Sequence, residues 1–132
     1  MLVGVPKEIK NNEYRTGLTP ASVRELSVHG HSVLVQADLG RAIGLRDEQY
    51  VAAGARIAHS AREIFDTADL IVKVKEPQPE EREMLRKGQV LFTYLHLAPD
   101  PEQTAGLVSR VRSALRMKPS PLRVAGCPCW RR

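Results

Sequence analysis

Short apolar runs alternate with helix-like segments along most of the chain, and this rhythm constrains the fold more than any other feature. The runs MLVGVP, HSVLVQ, DLIVKVKEP and QVLFTYLH predict strands, and helix-like segments separate them. Alternation with short connections predicts a parallel sheet covered by helices, and near-continuous apolar runs fit strands buried on both faces. The predicted fold class is therefore α/β, a parallel sheet flanked by helices.

Capping residues mark where the helices begin and end. Thr19 suits the N-cap and Pro20 the first turn of a helix through ASVRELSVHG, with Gly30 as its C-terminal stop. Three residues of this helix are predicted to turn inward: Val23, Leu26 and Val28. Further helices are predicted in DEQYVAA, in AREIFDTA after a capping serine, in PEEREMLRKG and in DPEQTAGLVSRV.

Length and composition are those of one ordinary globular domain, with 132 residues, of which 42% are hydrophobic and 27% charged. No apolar run reaches the roughly 18 residues that a membrane span needs. The N-terminus, MLVGVPKEIK, lacks the charged-then-apolar order of a secretory signal. A cytoplasmic protein with no membrane association is therefore expected.

The net charge of +5 belongs to the C-terminal tail alone. Residues 1–102 hold all 15 acidic residues against 13 basic ones, whereas residues 103–132 hold seven basic residues and no acid. A solvated basic tail is the simpler interpretation, and a nucleic-acid-binding patch is the alternative. No aromatic residue lies among the basic ones until Trp130, so no nucleic-acid partner is expected.

Polar side chains follow three of the predicted strands. Arg15 comes after the first strand, and the others close later strands: Lys73, Lys75 and His96. In a parallel sheet the loops beyond the carboxyl ends of the strands converge, and ligand sites form there. The sequence therefore predicts a site at this edge of the sheet.

Each of these residues has a functional and a structural interpretation. The planar guanidinium of Arg15 suits bidentate recognition of a carboxylate, although an arginine in a polar loop is more often a surface residue. A histidine titrates near neutral pH, so His96 suits general acid/base work, although a histidine in an apolar run is more often a hydrogen-bonded core residue. Proximity to the lysines would favour the catalytic interpretation.

Lys73 and Lys75 lie two residues apart, so on a strand their side chains would leave the same face. Repulsion between the two ammonium groups, together with partial burial, would then lower the pKa of at least one lysine and suit an anionic or carbonyl substrate. The alternative is that both are solvated ends of an edge strand.

Two further motifs carry little weight. Gly40 and Gly44 in LGRAIGLRDEQY lack the G-x-G-x-x-G spacing and indicate a turn rather than a phosphate cradle. Cys127 and Cys129 are too close for the usual C-x-x-C arrangement, and no second pair exists, so no metal site is predicted.

Four segments of this chain resemble the N-terminal domain of alanine dehydrogenase. They read VGVPKEIKNNEYRTGLTPASV, DEQYVAAGARI, ADLIVKVKEP and LFTYLHLAPDPE, and the similarity covers about residues 1–108. The related proton-pumping transhydrogenase shares the opening motif and fold, but its counterparts usually lack the second lysine and the histidine. The resemblance implies a flavodoxin- or Rossmann-like half-domain whose C-terminal part is lost.

The resemblance implies NAD-dependent oxidative deamination of L-alanine to pyruvate and ammonia, and it assigns roles to matching residues. Arg15 would hold the substrate carboxylate, and Lys75 would bind the carboxylate or the carbonyl oxygen of pyruvate. His96 would move protons as the imine is hydrated and the carbinolamine collapses. Glu8 and Lys73 would support these residues.

The family is nearly three times longer, with its dinucleotide fingerprint and a catalytic aspartate in a second domain, and its full-length members are homo-oligomers. Residues 1–132 are therefore expected to be a truncated form that binds no NAD and is inactive alone. The alternative is a non-catalytic substrate-type domain acting with a separate NAD-binding chain, as in transhydrogenase alpha subunits.

The expected domain boundary follows residue 109, because residues 110–132 form a basic, proline-rich tail unlike the family. The family continues with a strand reading like AYETV where this chain has LRMKPS. In a reading frame that joins the last base of each codon to the first two bases of the next, the codons of LRMKPS can encode AYETV. The codons of Met117 and Lys118 can encode only glutamate in that frame. We infer a frameshift near residues 110–112, which would leave the edge of the preceding strand unpaired.

Overall fold

A computed structural model describes residues 1–95, 101–108 and 111–116, and the predicted alternation of strands and helices is present in it. The strands are β1 (Leu2–Val5), β2 (Ser32–Gln36), β3 (Ala55–Ala58), β4 (Leu70–Val72), β5 (Gln89–Thr93) and β6 (Val111–Arg116). The helices are α1 (Pro20–Val28), α2 (Asp47–Ala52), α3 (Ala61–Thr67), α4 (Pro79–Met84) and α5 (Pro101–Val108), with a short 3-10 turn at Arg41–Ile43.

The strands form one parallel sheet in the order β3-β2-β1-β4-β5-β6. The predicted α/β class is therefore confirmed, and the order is that of a doubly wound, Rossmann-like sheet. Strands are added outward on one side of β1 up to β3 and then on its other side from β4 onward. In such sheets the gap between the loops after β1 and β4 is where ligands bind.

Neighbouring residues of each strand are buried against opposite layers of helices. On β2, Val33 and Val35 join a core cluster that contains Val23 of α1, whereas Leu34 joins the cluster built around Ile64 of α3. Burial on both faces is what near-continuous apolar strands require.

A glycine lets α3 approach the sheet closely. A Cβ atom at Gly4 would lie 2.5 Å from Ile64 Cγ2 and 2.7 Å from the Cβ of Ala68. No larger residue fits there without moving the helix, because real Cβ contacts are not that short.

The first helix begins as predicted. The side chain of Thr19 accepts a hydrogen bond from Ser22 N, and Gly30 has a φ of 80° just beyond the helix end. The prediction for Val28 is wrong, because its side chain is 75% exposed. Val28 lies five residues after buried Val23, so it is turned roughly 140° away from the buried stripe at 3.6 residues per turn.

Strand β4 ends at Val72, several residues earlier than the apolar pattern predicts. The chain still runs beside β5, since Lys73 N donates to Phe92 O and Tyr94 N donates to Val74 O. On the β1 side, however, a side chain takes the place of a backbone acceptor, because Val74 N donates to Glu8 Oε1 at 2.7 Å. This substitution of a carboxylate for a strand carbonyl accounts for the early end.

The two lysines therefore do not behave as neighbours on one strand face. Lys73 is wholly buried and Lys75 half-buried. Strand β4 lies between β1 and β5, so the interpretation of solvated lysines on an edge strand is also wrong.

The chain continues the sheet beyond α5. The backbone of Val111–Arg116 pairs in parallel with β5, so the prediction of an unpaired edge on β5 is wrong. Backbone pairing needs no particular side chains, and charged residues are tolerated on edge strands. Trp130, Cys127 and Cys129 lie outside the described residues. Within the described ranges, none of the helices has the length and apolarity needed to cross a membrane.

Candidate functional site

Two segments flank the point where the strand order reverses. Loop 6–19 follows β1 and segment 73–78 follows β4, and we call the region between them the switch-point site. Loop 6–19 contributes most of the lining of a shallow depression of about 390 Å³, which Leu39 and Ala42 complete. The loop contacts α2 through Tyr50, whose hydroxyl donates to Leu18 O at 3.0 Å.

A buried ion-pair cluster lies beneath the site. The side chain of Lys73 is fully buried, and its Nζ donates to Glu81 Oε1 at 2.6 Å. Glu8 Oε2 lies 3.2 Å from the same nitrogen. We call these three residues the buried triad. A buried ammonium needs such partners, because an unpaired charge in the interior costs several kcal/mol.

Glu8 connects the loop after β1 to the segment after β4. Its Oε1 accepts from Val74 N while its Oε2 contacts Lys73. Burial raises the pKa of Glu8 above its ordinary value, and the nearby charge of Lys73 and the hydrogen bond from Val74 oppose that rise. Desolvation thus outweighs the attraction of the single ammonium group.

Glu81 contributes to the triad from the first turn of α4. Its Oε2 accepts from Gln78 N at 2.9 Å, which forms part of a capping box, and its Oε1 accepts from Lys73. One carboxylate therefore caps a helix and pairs with a buried lysine. The start of α4 is fastened to the end of β4 in this way.

Lys75 follows Lys73 of the triad by two residues and is held through its backbone. Thr93 Oγ1, at the end of β5, donates to Lys75 O at 2.8 Å. The next residue, Glu76, forms an ion pair with Lys10 of loop 6–19. The segment that carries Lys75 is thus tied both to β5 and to the loop after β1.

Arg15 is exposed but already engaged. Its Nε donates to Glu13 Oε1 at 2.8 Å and its Nη2 donates to Glu13 Oε2 at 2.6 Å. This bidentate contact lowers the pKa of Glu13 to about 2, with the charge of Lys75 contributing in the same direction, and it raises the pKa of Arg15. Arg15 is therefore held by a carboxylate of its own loop.

The structure brings four of the predicted site residues to the switch point. Glu8 and Lys73 are in contact within the buried triad, Arg15 binds Glu13 in loop 6–19, and Lys75 lies in segment 73–78. His96 lies outside the described residues, which end at this point with Leu95 at the carboxyl end of β5. Its role stays a prediction.

The turn after β1 does not fit a dinucleotide. A phosphate cradle needs a glycine-rich turn running from a strand directly into a helix. After β1, α1 begins only at Pro20, and a Cβ at Gly17 would lie 2.6 Å from Val72 O, so this glycine allows close packing onto β4. Gly44, with φ 78°, closes the 3-10 turn, as the sequence indicates.

Among the described residues, no group of three or more His, Cys, Asp or Glu side chains could hold a metal ion.

Glu13 and Glu81 belong to the site but are not among the residues predicted from the sequence. Glu13 had a local signal, since Glu and Arg two residues apart in a loop can pair. Glu81 had only its place in the first turn of α4, which predicts a cap and not burial. Its partner Lys73 comes from a different element, so the contact depends on tertiary structure.

Comparison with known proteins decides the family. The family described as "Alanine dehydrogenase/PNT, N-terminal domain" matches residues 4–119. The chain belongs to this family. An alanine dehydrogenase from Methanococcus maripaludis is 53% identical over 110 residues, which are 83% of this chain and 30% of that protein. The chain thus spans about a third of the length of such relatives.

Solved structures agree with this assignment to the alanine dehydrogenase/PNT family. An L-alanine dehydrogenase superposes with a TM-score of 0.82 at 46% identity, covering 86% of this chain and 31% of that one. A transhydrogenase from Sinorhizobium meliloti superposes with a TM-score of 0.79 at 28% identity, covering 86% and 34%. Both branches of the family share this domain.

Proposed function

We propose that this domain provides the substrate half-site of an alanine dehydrogenase, which converts L-alanine, NAD and water to pyruvate, ammonia and NADH. The observation that carries the proposal is the contact of Glu8 with Lys73 and Val74 N, which joins the loop that carries Arg15 to the segment that carries Lys75 at the switch point. Two cationic side chains on adjacent segments, at the switch point of a parallel sheet, suit a small carboxylic acid substrate. The higher identity to alanine dehydrogenases than to transhydrogenase supports this choice.

The proposed roles follow the chemistry of each side chain. Arg15 holds the substrate carboxylate, and Lys75 binds the carboxylate or the carbonyl oxygen of pyruvate. His96 moves protons during imine hydration and carbinolamine collapse. Glu8 and Lys73 support the site from below, since their contact holds loop 6–19 against segment 73–78.

NAD supplies the hydride acceptor when it is bound, and we propose that a second domain or a separate chain, and not residues 1–132, holds it. The turn after β1 supports this proposal, because α1 begins only at Pro20 and Gly17 packs against Val72 O. A polypeptide of residues 1–132 is accordingly expected to form no NADH from alanine. Measurable NADH formation by the pure polypeptide would contradict this expectation.

A second candidate function is a non-catalytic substrate-type domain that works with a separate NAD-binding chain. Its support is the likeness to the transhydrogenase from Sinorhizobium meliloti. A neighbouring gene that encodes a G-x-G-x-x-G domain would favour it. A cytoplasmic location and homo-oligomeric assembly are proposed for the alanine dehydrogenase form.

The tail proposal concerns the gene. We propose that a frameshift near residues 110–112 separates residues 1–109 from a tail at 110–132. Re-reading the nucleotide sequence through codon 110 tests it. A sequence in which no single-base shift restores family-like text would rule it out.

Pyruvate binding tests the half-site directly. Calorimetric titration of pyruvate into the 132-residue chain should show binding, and Arg15→Gln and Lys75→Gln should each weaken it at least tenfold. Lys87→Gln, a change at an exposed residue of the segment between α4 and β5, serves as the matched control. Equal affinity in all four proteins would overturn the proposal.

A further inference from the structure

Glu13 grips one edge of the Arg15 guanidinium. The carboxylate takes Nε and Nη2, which form the side edge of the planar group, and its Oε1 also accepts from Arg15 N at 3.0 Å. An arginine has five N–H donors, so this contact leaves the end edge, with Nη1 and the second hydrogen of Nη2, for another acceptor.

The contact is local and is part of the loop itself. The two residues lie two positions apart in loop 6–19, and three hydrogen bonds join them. The side chain of Arg15 is 62% exposed, so without Glu13 it would sample many rotamers. A ligand that needs a fixed guanidinium would then have to offset that loss of freedom.

We propose that Glu13 is a positioning residue that fixes Arg15 so that the end edge of its guanidinium is presented to the substrate carboxylate. This inference rests on the proposed function, because it names a residue that prepares the same substrate half-site. Glu13 contacts the arginine and not the substrate.

The opposite possibility is that Glu13 blocks the site by occupying Arg15 in place of the substrate. Substrate binding would then have to break all three hydrogen bonds between the two residues. Since the end edge is not used by Glu13, a carboxylate can be held there while the existing contact persists. The geometry therefore favours positioning over blocking.

The test measures pyruvate affinity by calorimetry in the 132-residue chain. Glu13→Gln replaces the Oε2 acceptor by an amide that repels Nη2, and we expect the Kd for pyruvate to rise at least fivefold. Glu13→Asp keeps the charge but shortens the reach, and it should also weaken binding. Glu80→Gln, an exposed residue in the first turn of α4, is the control and should leave Kd unchanged.

A double-mutant cycle separates positioning from general structure. In an Arg15→Gln background, Glu13→Gln should change the pyruvate Kd by less than twofold, because its target is gone. Tighter binding by Glu13→Gln, or an unchanged Kd in both Glu13 variants, would overturn the inference alone. Absence of pyruvate binding by the unaltered chain would overturn the proposed function and this inference with it.

Discussion

Lys73 and Glu81 form an ion pair of 2.6 Å in the interior, with neither side chain exposed to solvent by more than 2%. Glu8 approaches the same ammonium group from the loop after β1. Three elements of the fold therefore meet at one lysine: the loop after β1, the end of β4 and the start of α4. The switch-point site lies directly on this cluster.

Lys73→Met should destabilise the domain strongly. The substitution removes the only ammonium of the triad and leaves the carboxylates of Glu8 and Glu81 facing each other in the interior. Breaking a buried ion pair on one side costs about 3–5 kcal/mol. Urea denaturation measures the change, and Lys87→Met is the exposed control, expected within about 0.5 kcal/mol of the unaltered chain. A cost for Lys73→Met as small as the control's would contradict the role of the triad.

Glu8 should make the domain less stable as pH rises. Its pKa is raised in the folded state above the ordinary value of 4.5, so the folded protein holds this proton more tightly than the unfolded chain. The resulting stabilisation is present below pH 4.5 and is lost as pH rises through the folded pKa. Glu8→Gln removes this titration, while the amide oxygen can still accept from Val74 N. Urea titrations at several pH values should show the stability of the unaltered chain falling relative to Glu8→Gln across that window. A constant difference would contradict the raised pKa.

Glu13 should show the opposite dependence on pH. Its pKa is lowered from 4.5 to about 2 by the hydrogen bonds from Arg15, so its contribution to stability is present above pH 4.5. That contribution is lost as pH falls from 4.5 towards 2, and it is modest because the Arg15 side chain is 62% exposed. Comparing denaturation of the unaltered chain and Glu13→Gln should show their difference shrinking over this interval. A difference that is the same at pH 2 and pH 6 would show that the carboxylate is not held by Arg15.

Gly17→Ala should disturb the site through the backbone. The added Cβ would lie 2.6 Å from Val72 O, so loop 6–19 would have to move away from β4, at a cost of about 1–3 kcal/mol. Pyruvate affinity should fall as well, because the loop carries Arg15. Gly44→Ala is a useful control, since its Cβ meets nothing within 4 Å and its φ of 78° costs stability without touching the loop. If both variants bound pyruvate like the unaltered chain, the packing of Gly17 would have no functional part.

The sequence predicted the architecture well because the signals are local. Apolar runs and capping residues such as Thr19 act within a few positions, and they marked the strands and the start of α1. The position of the site also followed, since polar residues after parallel strands must meet at one edge of the sheet. The prediction that Val28 is buried was wrong because its apolar character does not show on which side of the helix it lies.

The contacts of the buried triad could not be predicted in the same way. Lys73 lies 65 positions from Glu8, and their pairing depends on β4 being placed beside β1, which the order of segments along the chain does not specify. The apolar pattern also continues past Val72. There the hydrogen-bond ladder between β1 and β4 ends because Val74 N donates to the carboxylate of Glu8 and not to a β1 carbonyl. Long-range side-chain contacts of this kind need the tertiary structure.

The most direct test of the substrate half-site is to locate where pyruvate binds. Amide chemical shifts of the ¹⁵N-labelled 132-residue chain should be recorded while pyruvate is added. We expect the largest chemical-shift changes in loop 6–19 and segment 73–78, on both sides of the switch point. These changes should disappear in Arg15→Gln. Changes confined to the groove between α1 and α2, which Arg24, Glu25 and Gln49 line, or no changes at pyruvate concentrations that saturate an alanine dehydrogenase, would contradict this expectation.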